Sequence, residues 1–200
     1  MMLRLDINDA SALEKVARIL QEGGVVVLPT ETVYGLVTLW DNEAGRARIY
    51  ALKRRPANKL LQMLASSVEM VGQAGIVCNF RVLAVTERFC PGPITIVAPD
   101  NDGGSIGFRI PNNDFILRLL LRLGKPLAAT SANLSGKLPA LNAKDAVCDL
   151  DGEPDAVLDG GEISVTGGQA STVLSLLGEK PVILREGPVL LEEIEAALKV

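Results

Sequence analysis

Two hundred residues, 48% of them hydrophobic and 22% charged, are enough for one domain with a buried core and do not have the composition of a disordered chain. A formal net charge of −4 opposes a protein held to nucleic acid by its overall charge. Histidine is absent, which excludes a Ser-His-Asp triad, a histidine general base and most zinc or iron sites, so any catalysis must come mainly from placed charges and amides.

Asp9 to Gln21 predicts an amphipathic helix, with Ala12, Leu13, Val16, Ile19 and Leu20 on one side and Gly23-Gly24 as its stop. VVVL (25–28) predicts a short buried strand, and Thr32 to Leu39 a second. Glu43 to Arg54 reads as a helix ended by Pro56. LLQML (60–64) is a strand, and Ser66 or Ser67 caps the helix after it. Phe80 to Phe89 is helical; CPGP then turns the chain into strand ITIVA (94–98), which pairs with SIGFRI (105–110) across PDNDGG. Phe115 to Leu123 is a helix, PLAAT (126–130) a strand running into SANLSG, and Ala143 to Leu150 a helix. DAVLD, STVLSLL and VILR are late strands, and Leu190 to Lys199 closes the chain as a helix. Interleaved helices and hairpin-linked strands indicate the α/β class with a mixed sheet, in one domain over residues 1–200. Residues 145–162 carry seven acids and no base and read as a solvated segment. No apolar run approaches the roughly 18 residues of a membrane span, and no secretory leader is visible. Cys78, Cys90 and Cys148 fit neither a disulfide framework nor a zinc pattern; they are expected to be buried small hydrophobes in a reducing cytoplasm. With neither GxxxxGK[ST] nor a strand-linked GxGxxG present, Gly103-Gly104 and Gly167-Gly168 read as turns.

The strongest local anomaly is YALKRRPANKLL (50–61). Between Ala44 and Val68 there are six bases and no acid. This is either a solvated helix end, where each positive charge gains roughly 0.3–1 kcal/mol from the helix dipole, or a site for an anion. Lys53 and Arg55 would diverge on a helix, but a chain unwinding before Pro56 lets both reach one ligand, Arg as a fork and Lys as a point charge. In TSANLSG (130–136), Ser131 and Asn133 either contact a ligand at the end of a buried strand or form a turn that caps the next segment. PTETVYGL (29–36) sets Thr30, Thr32 and Tyr34 at period two, which on a strand is either a wet face or a polar wall needing partners. Arg109 and Arg185 sit inside apolar strands and call for an acid, a sheet edge or a shared anionic ligand.

Taken in order, PTETVYGL, KRRPANKLL, PGPITIV, IGFRIP, TSANLSG, STV and LREG resemble the YrdC/TsaC family of threonylcarbamoyl-AMP synthases over about residues 10–190. The resemblance implies a YrdC-like α/β domain, a twisted mixed sheet with flanking helices around a concave cavity. It implies condensation of L-threonine, bicarbonate and ATP into threonylcarbamoyl-adenylate and pyrophosphate, with Mg²⁺ carried by the ATP phosphates and not by protein side chains. The product is the donor for threonylcarbamoyladenosine in tRNA, so a tRNA threonylcarbamoyl-transferase complex is implied as a partner. Carry-over puts Lys53, Arg55, Lys59, Ser105, Ser131, Asn133 and Arg185 around ATP, with Lys53 and Arg55 as the catalytic cations. It puts Thr32, Arg109 and Ser171 around threonine and its carbamate, and Thr30 and Tyr34 in the cavity wall. The chain departs from the family pattern at KLL, where KPL is usual, at Asn112-Asn113-Asp114, where His-Pro is common, and at KLPALN after SANLSG. Ending at Val200, it resembles the short, single-domain type.

Two other readings remain open. An RNA-binding or assembly factor on the same fold, touching tRNA directly, is suggested by the basic stretch 46–59 and opposed by the acidic balance and the few aromatic residues. A paralogue with altered substrate is opposed by the intact SAN.

Overall fold

The computed structural model describes residues 2–163 and 169–199; the turn expected at Gly167-Gly168 lies outside them. In chain order the elements are β1 (Leu3–Asp6), α1 (Ala12–Gln21), β2 (Val26–Pro29), β3 (Tyr34–Leu39), α2 (Glu43–Lys53), β4 (Gln62–Leu64), α3 (Val68–Gln73), α4 (Phe80–Phe89), β5 (Ile94–Pro99), β6 (Ser105–Arg109), α5 (Asp114–Leu123), β7 (Leu127–Ser131), α6 (Ala143–Cys148), β8 (Ala156–Asp159), β9 (Thr172–Ser175), β10 (Val182–Arg185) and α7 (Leu191–Leu198). The strands form one mixed sheet in the order β1-β8-β2-β3-β7-β4-β6-β5-β9-β10. β5 and β6 pair antiparallel, as the PDNDGG turn suggests, while β4–β6 and β5–β9 pair parallel.

The side chains sort the sheet into two halves. In β2, β3, β7 and β8, alternate residues face opposite ways. Val26, Leu28, Val37, Leu39, Leu127 and Leu158 pack on α1 and α5; Val27, Leu36, Ala128 and Val157 pack on α2 and α6. Both faces of this half are covered. In the other half Met63, Ile94, Ile96, Phe108 and Leu174 pack on α3, α4 and α7. The residues alternating with them, Gln62, Thr95, Val97, Ser105, Gly107, Arg109 and Val173, line a cavity instead. The site is therefore the one face of the second half on which no described helix packs.

Local chemistry explains most boundaries. Ser67 caps α3 by accepting from Met70 N–H at 3.3 Å, and Asn79 caps α4 by accepting from Arg81 and Val82. α1 starts at Ala12 and not at Asp9, because Asp9 accepts from the Ser11 N–H and hydroxyl and closes a turn before the helix. β3 starts at Tyr34, two residues later than expected. Thr30 Oγ1 accepts from the Thr32 and Val33 N–H groups and donates to Val33 O, so residues 30–33 form a tight turn and not a strand. β1 was not legible; only Leu5 of LRLD is buried, and its partner β8 is distant in sequence.

Candidate active site

The cavity holds about 290 Å³ and is floored by β4, β6, β5 and β9, with Arg55, Leu60, Leu61, Thr32, Val33, Pro139, the Ala129–Ser131 end of β7 and Arg185 around its sides. A shallower groove of about 490 Å³ continues from it, sharing Leu60, Leu61, Ser105 and Gly107 and extending over Trp40, Arg46 and Tyr50. Arg46 stands over the Trp40 ring at 5.7 Å. The cavity is small for a nucleotide, and with the groove the space reaches the size common for ligand sites.

Three guanidiniums converge on it. Arg109, almost fully buried, donates to Thr32 Oγ1 at 3.1 Å and Gly92 O at 3.2 Å and pairs with Glu31 at 2.5 Å. Arg185 donates to Ser171 O at 2.7 Å and Ser171 Oγ at 3.1 Å. Arg55 donates to the carbonyls of Lys59 and Leu60, both at 2.8 Å, which folds the loop back on its own arginine. Burial lowers the pKa of Arg55; burial and then the charge of Arg109 lower that of Arg185. Among the described residues neither Arg55 nor Arg185 forms an ion pair, and Glu31 is the carboxylate that offsets Arg109. Cations held near one another, dehydrated and short of counter-charge, are stabilised by an anionic ligand.

The basic motif does not act as a unit. Arg54 takes a left-handed conformation at the end of α2 (φ 47°), so the chain turns sharply between Lys53 and Arg55. Arg55 faces the cavity. Lys53 is absent from the cavity lining, is 1% exposed, and donates to the carbonyls of Ser131 and Asn133. In this structure Arg55 lines the cavity, while Lys53 ties Ser131, at the cavity edge, to Asn133 in the loop after β7. Burial and then the Arg55 charge pull the Lys53 ammonium down to about 8, against the two carbonyls that favour its protonated form. Arg54 pairs with Asp151 at 2.7 Å and Arg48 with Asp155 at 2.5 Å. Part of the acidic segment thus neutralises part of the basic one, and it is not simply a solvated stretch.

Of the other expected site residues, Ser105, Ser131, Thr32 and Ser171 line the cavity. Lys59 is exposed and contributes its carbonyl, not its ammonium. Asn133 is buried behind the wall; its amide nitrogen donates to Leu134 O and Lys137 O, and its Oδ1 has no partner among the described residues. Thr30 sits one bond behind Thr32 (Oγ1 to Oγ1 2.9 Å). Tyr34 packs in the core under α2 and α6, with its hydroxyl donating to Gly161 O at 2.7 Å. Thr30 and Tyr34 therefore support the wall and do not form it. Cys148 is exposed, contrary to expectation, while Cys78 and Cys90 are half-buried. Among the described residues no three His, Cys, Asp or Glu side chains cluster as metal ligands, and no helix is long and apolar enough to cross a membrane.

A family model for Sua5, YciO and YrdC, described as telomere recombination, matches residues 18–187. The chain belongs to the Sua5/YciO/YrdC family. It is 33% identical over 204 residues to the threonylcarbamoyl-AMP synthase of Bacillus subtilis (strain 168), a match covering 97% of this chain and 58% of that protein. The crystal structure of P. abyssi Sua5 complexed with L-threonine superposes with a TM-score of 0.89 at 31% identity, over 99% of this chain and 61% of that one. E. coli YciO shares the fold, with a TM-score of 0.85 at 20% identity over 97% of this chain and 98% of its own. The chain thus spans little more than half the length of these synthase and Sua5 relatives.

Two residues on the floor of this Sua5/YciO/YrdC cavity escaped sequence reading, Thr95 and Gln62. Each is a polar residue inside an apolar strand, in ITIVA and LLQML. That is the signal that singled out Arg109 and Arg185, only weaker because neither residue is charged.

Proposed function

We propose that this chain carries a threonylcarbamoyl-AMP synthase site, condensing L-threonine, bicarbonate and ATP. The observation that carries the reading is the convergence of Arg55, Arg109 and Arg185 on one cavity with a single opposing carboxylate, Glu31, among the described residues. The similarity to a synthase and to a Sua5 that binds L-threonine supports it. Arg55 and Arg185, with Ser105 and Ser131, face the triphosphate; Arg109, Thr32 and Ser171 face the amino acid and its carbamate. The groove over Trp40 and Tyr50 takes the nucleobase end.

In this reading the neutral amine of threonine first forms an N–C bond to the bicarbonate carbon as a C–O bond breaks and water leaves, which gives the carbamate. Its oxygen attacks the α-phosphorus, the new O–P bond forms as the bond to the β-phosphate oxygen breaks, and pyrophosphate leaves. All the reactants are anionic at the reacting end, so fixed guanidiniums act by bringing them together and by offsetting charge as it moves to the leaving group. Among the described residues no group of three His, Cys, Asp or Glu side chains could hold Mg²⁺, and the ion is assigned to the nucleotide phosphates. The adenylate passes to a tRNA threonylcarbamoyl-transferase complex in the cytoplasm. The test is incubation with ATP, Mg²⁺, labelled bicarbonate and L-threonine. Threonine-dependent pyrophosphate release with label in an adenylate is expected; release that ignores threonine overturns the reading.

A further inference from the structure

A chain of four polar side chains crosses the cavity floor. Arg185 Nη2 donates to Ser171 Oγ at 3.1 Å, Ser171 Oγ and Thr95 Oγ1 are 2.9 Å apart, and Thr95 Oγ1 donates to Gln62 Oε1 at 2.9 Å. A guanidinium can only donate, so Ser171 Oγ accepts from Arg185. Thr95 has a single hydroxyl proton and gives it to Gln62 Oε1, so the bond between the two hydroxyls runs from Ser171 Oγ to Thr95 Oγ1. With the Gln62 amide oxygen as the acceptor, both hydroxyl protons of the row are placed. Thr95 and Ser171 are almost fully buried, so the row does not exchange partners freely with solvent.

The end of the row is left open. Gln62 Nε2 makes no hydrogen bond to the described residues, and the side chain lines the cavity. Gln62 lies on β4 and Thr95 on β5, with β6 between them in the sheet. They meet because Gly107 stands in the gap: a Cβ there would lie 3.5 Å from Thr95 Cγ2 and 3.6 Å from Val97 Cγ2. Gln62 is thus held across a side-chain-free strand with its N–H groups turned to the ligand space.

We propose that Gln62 is a specificity-determining residue, its Nε2 donating to the side-chain hydroxyl oxygen of a β-hydroxy amino acid. The inference rests on the threonine chemistry proposed above. The three guanidiniums account for carboxylate and phosphate charge. What the amide adds is a neutral donor of fixed direction, the group suited to a neutral oxygen, and one that is left unpaired when a ligand offers a methyl instead.

The experiment is pyrophosphate release with L-threonine and, in parallel, its isostere L-valine, on wild type, Gln62→Met and Gln62→Glu. The methionine keeps the volume; the glutamate keeps an acceptor for Thr95 but loses the donor. Either variant is expected to lose about tenfold in kcat/KM for threonine, mainly through KM, and to narrow the threonine-to-valine preference by a similar factor, with the KM for ATP unchanged. Glu serves if Met does not fold. An unchanged preference ratio, including an equal loss on both amino acids, overturns the assignment. Should wild type bind threonine calorimetrically yet release no pyrophosphate, the reaction is wrong and Gln62 is judged by the same ratio in binding. Wild type that does not bind threonine refutes both.

Discussion

Replacing Lys53 by methionine tests the division of labour within the basic motif. Lys53 gives two charge-assisted hydrogen bonds, to Ser131 O and Asn133 O, each worth about 1.5–3 kcal/mol. Against them stands the fall of its pKa from 10.5 to about 8, which burial and the Arg55 charge impose; at 1.36 kcal/mol per unit this is about 3 kcal/mol against the charged form. The terms largely cancel, leaving a net loss of about 0–3 kcal/mol and a Tm lower by up to roughly 12 °C. Function should suffer far more, because the clamp holds the end of β7 that carries Ser131. The pH dependence separates this from a generic core defect. Lys53 is a base whose folded pKa lies below its unfolded value, so between about 8 and 10.5 the unfolded chain binds more protons and stability contributed by this group rises with pH. Its stabilising share is present above 10.5 and lost as pH falls through about 8. Urea titrations of wild type and Lys53→Met from pH 7 to 10.5 should therefore diverge by up to about 3 kcal/mol, wild type gaining on the variant as pH rises. Parallel curves would refute the lowered Lys53 pKa.

Other consequences are as direct. Arg55→Met and Arg185→Met should each weaken ATP binding by calorimetry at least tenfold. Arg185→Met should cost little stability, since it also removes a repulsion with Arg109; a large Tm drop without loss of affinity would show a structural role. Glu31→Gln leaves a buried guanidinium without its counter-ion and should lower stability by about 3 kcal/mol in urea titration. A neutral result would mean that Arg109 is hydrated and not desolvated. Gly107→Ala adds a Cβ at ordinary contact distance, so Tm should stay within a few degrees; because the methyl enters the space between Gln62 and Thr95, turnover should fall.

The sequence announced those parts of the fold that local chemistry decides. α4 runs from Phe80 to Phe89 as read, because Asn79 caps it and Cys90-Pro91 ends it. β1 was invisible because four residues with one buried side chain carry almost no periodic signal, and their pairing depends on β8. At the site, Arg109 and Arg185 were legible because a charge inside an apolar strand demands an account. The burial of Lys53 was not legible because a left-handed Arg54 is not announced by a glycine; Asp151, which pairs with Arg54, comes from far along the chain. The polar stripe expected on PTETVYGL lies instead on β5 and β6, at Thr95 and at Ser105 and Arg109, where Gly107 interrupts it. Period two was present there too, but a threonine and a glycine among apolar residues do not distinguish a cavity floor from a partly wet strand.

The most direct measurement is a crystal structure of this chain with L-threonine and a non-hydrolysable ATP analogue. Triphosphate oxygens within hydrogen-bonding distance of Arg55 and Arg185, with the threonine carboxylate on Arg109, are the predicted result. Ligand bound with those three side chains still turned to their present protein partners, or bound away from the β4-β6-β5-β9 floor, would contradict it.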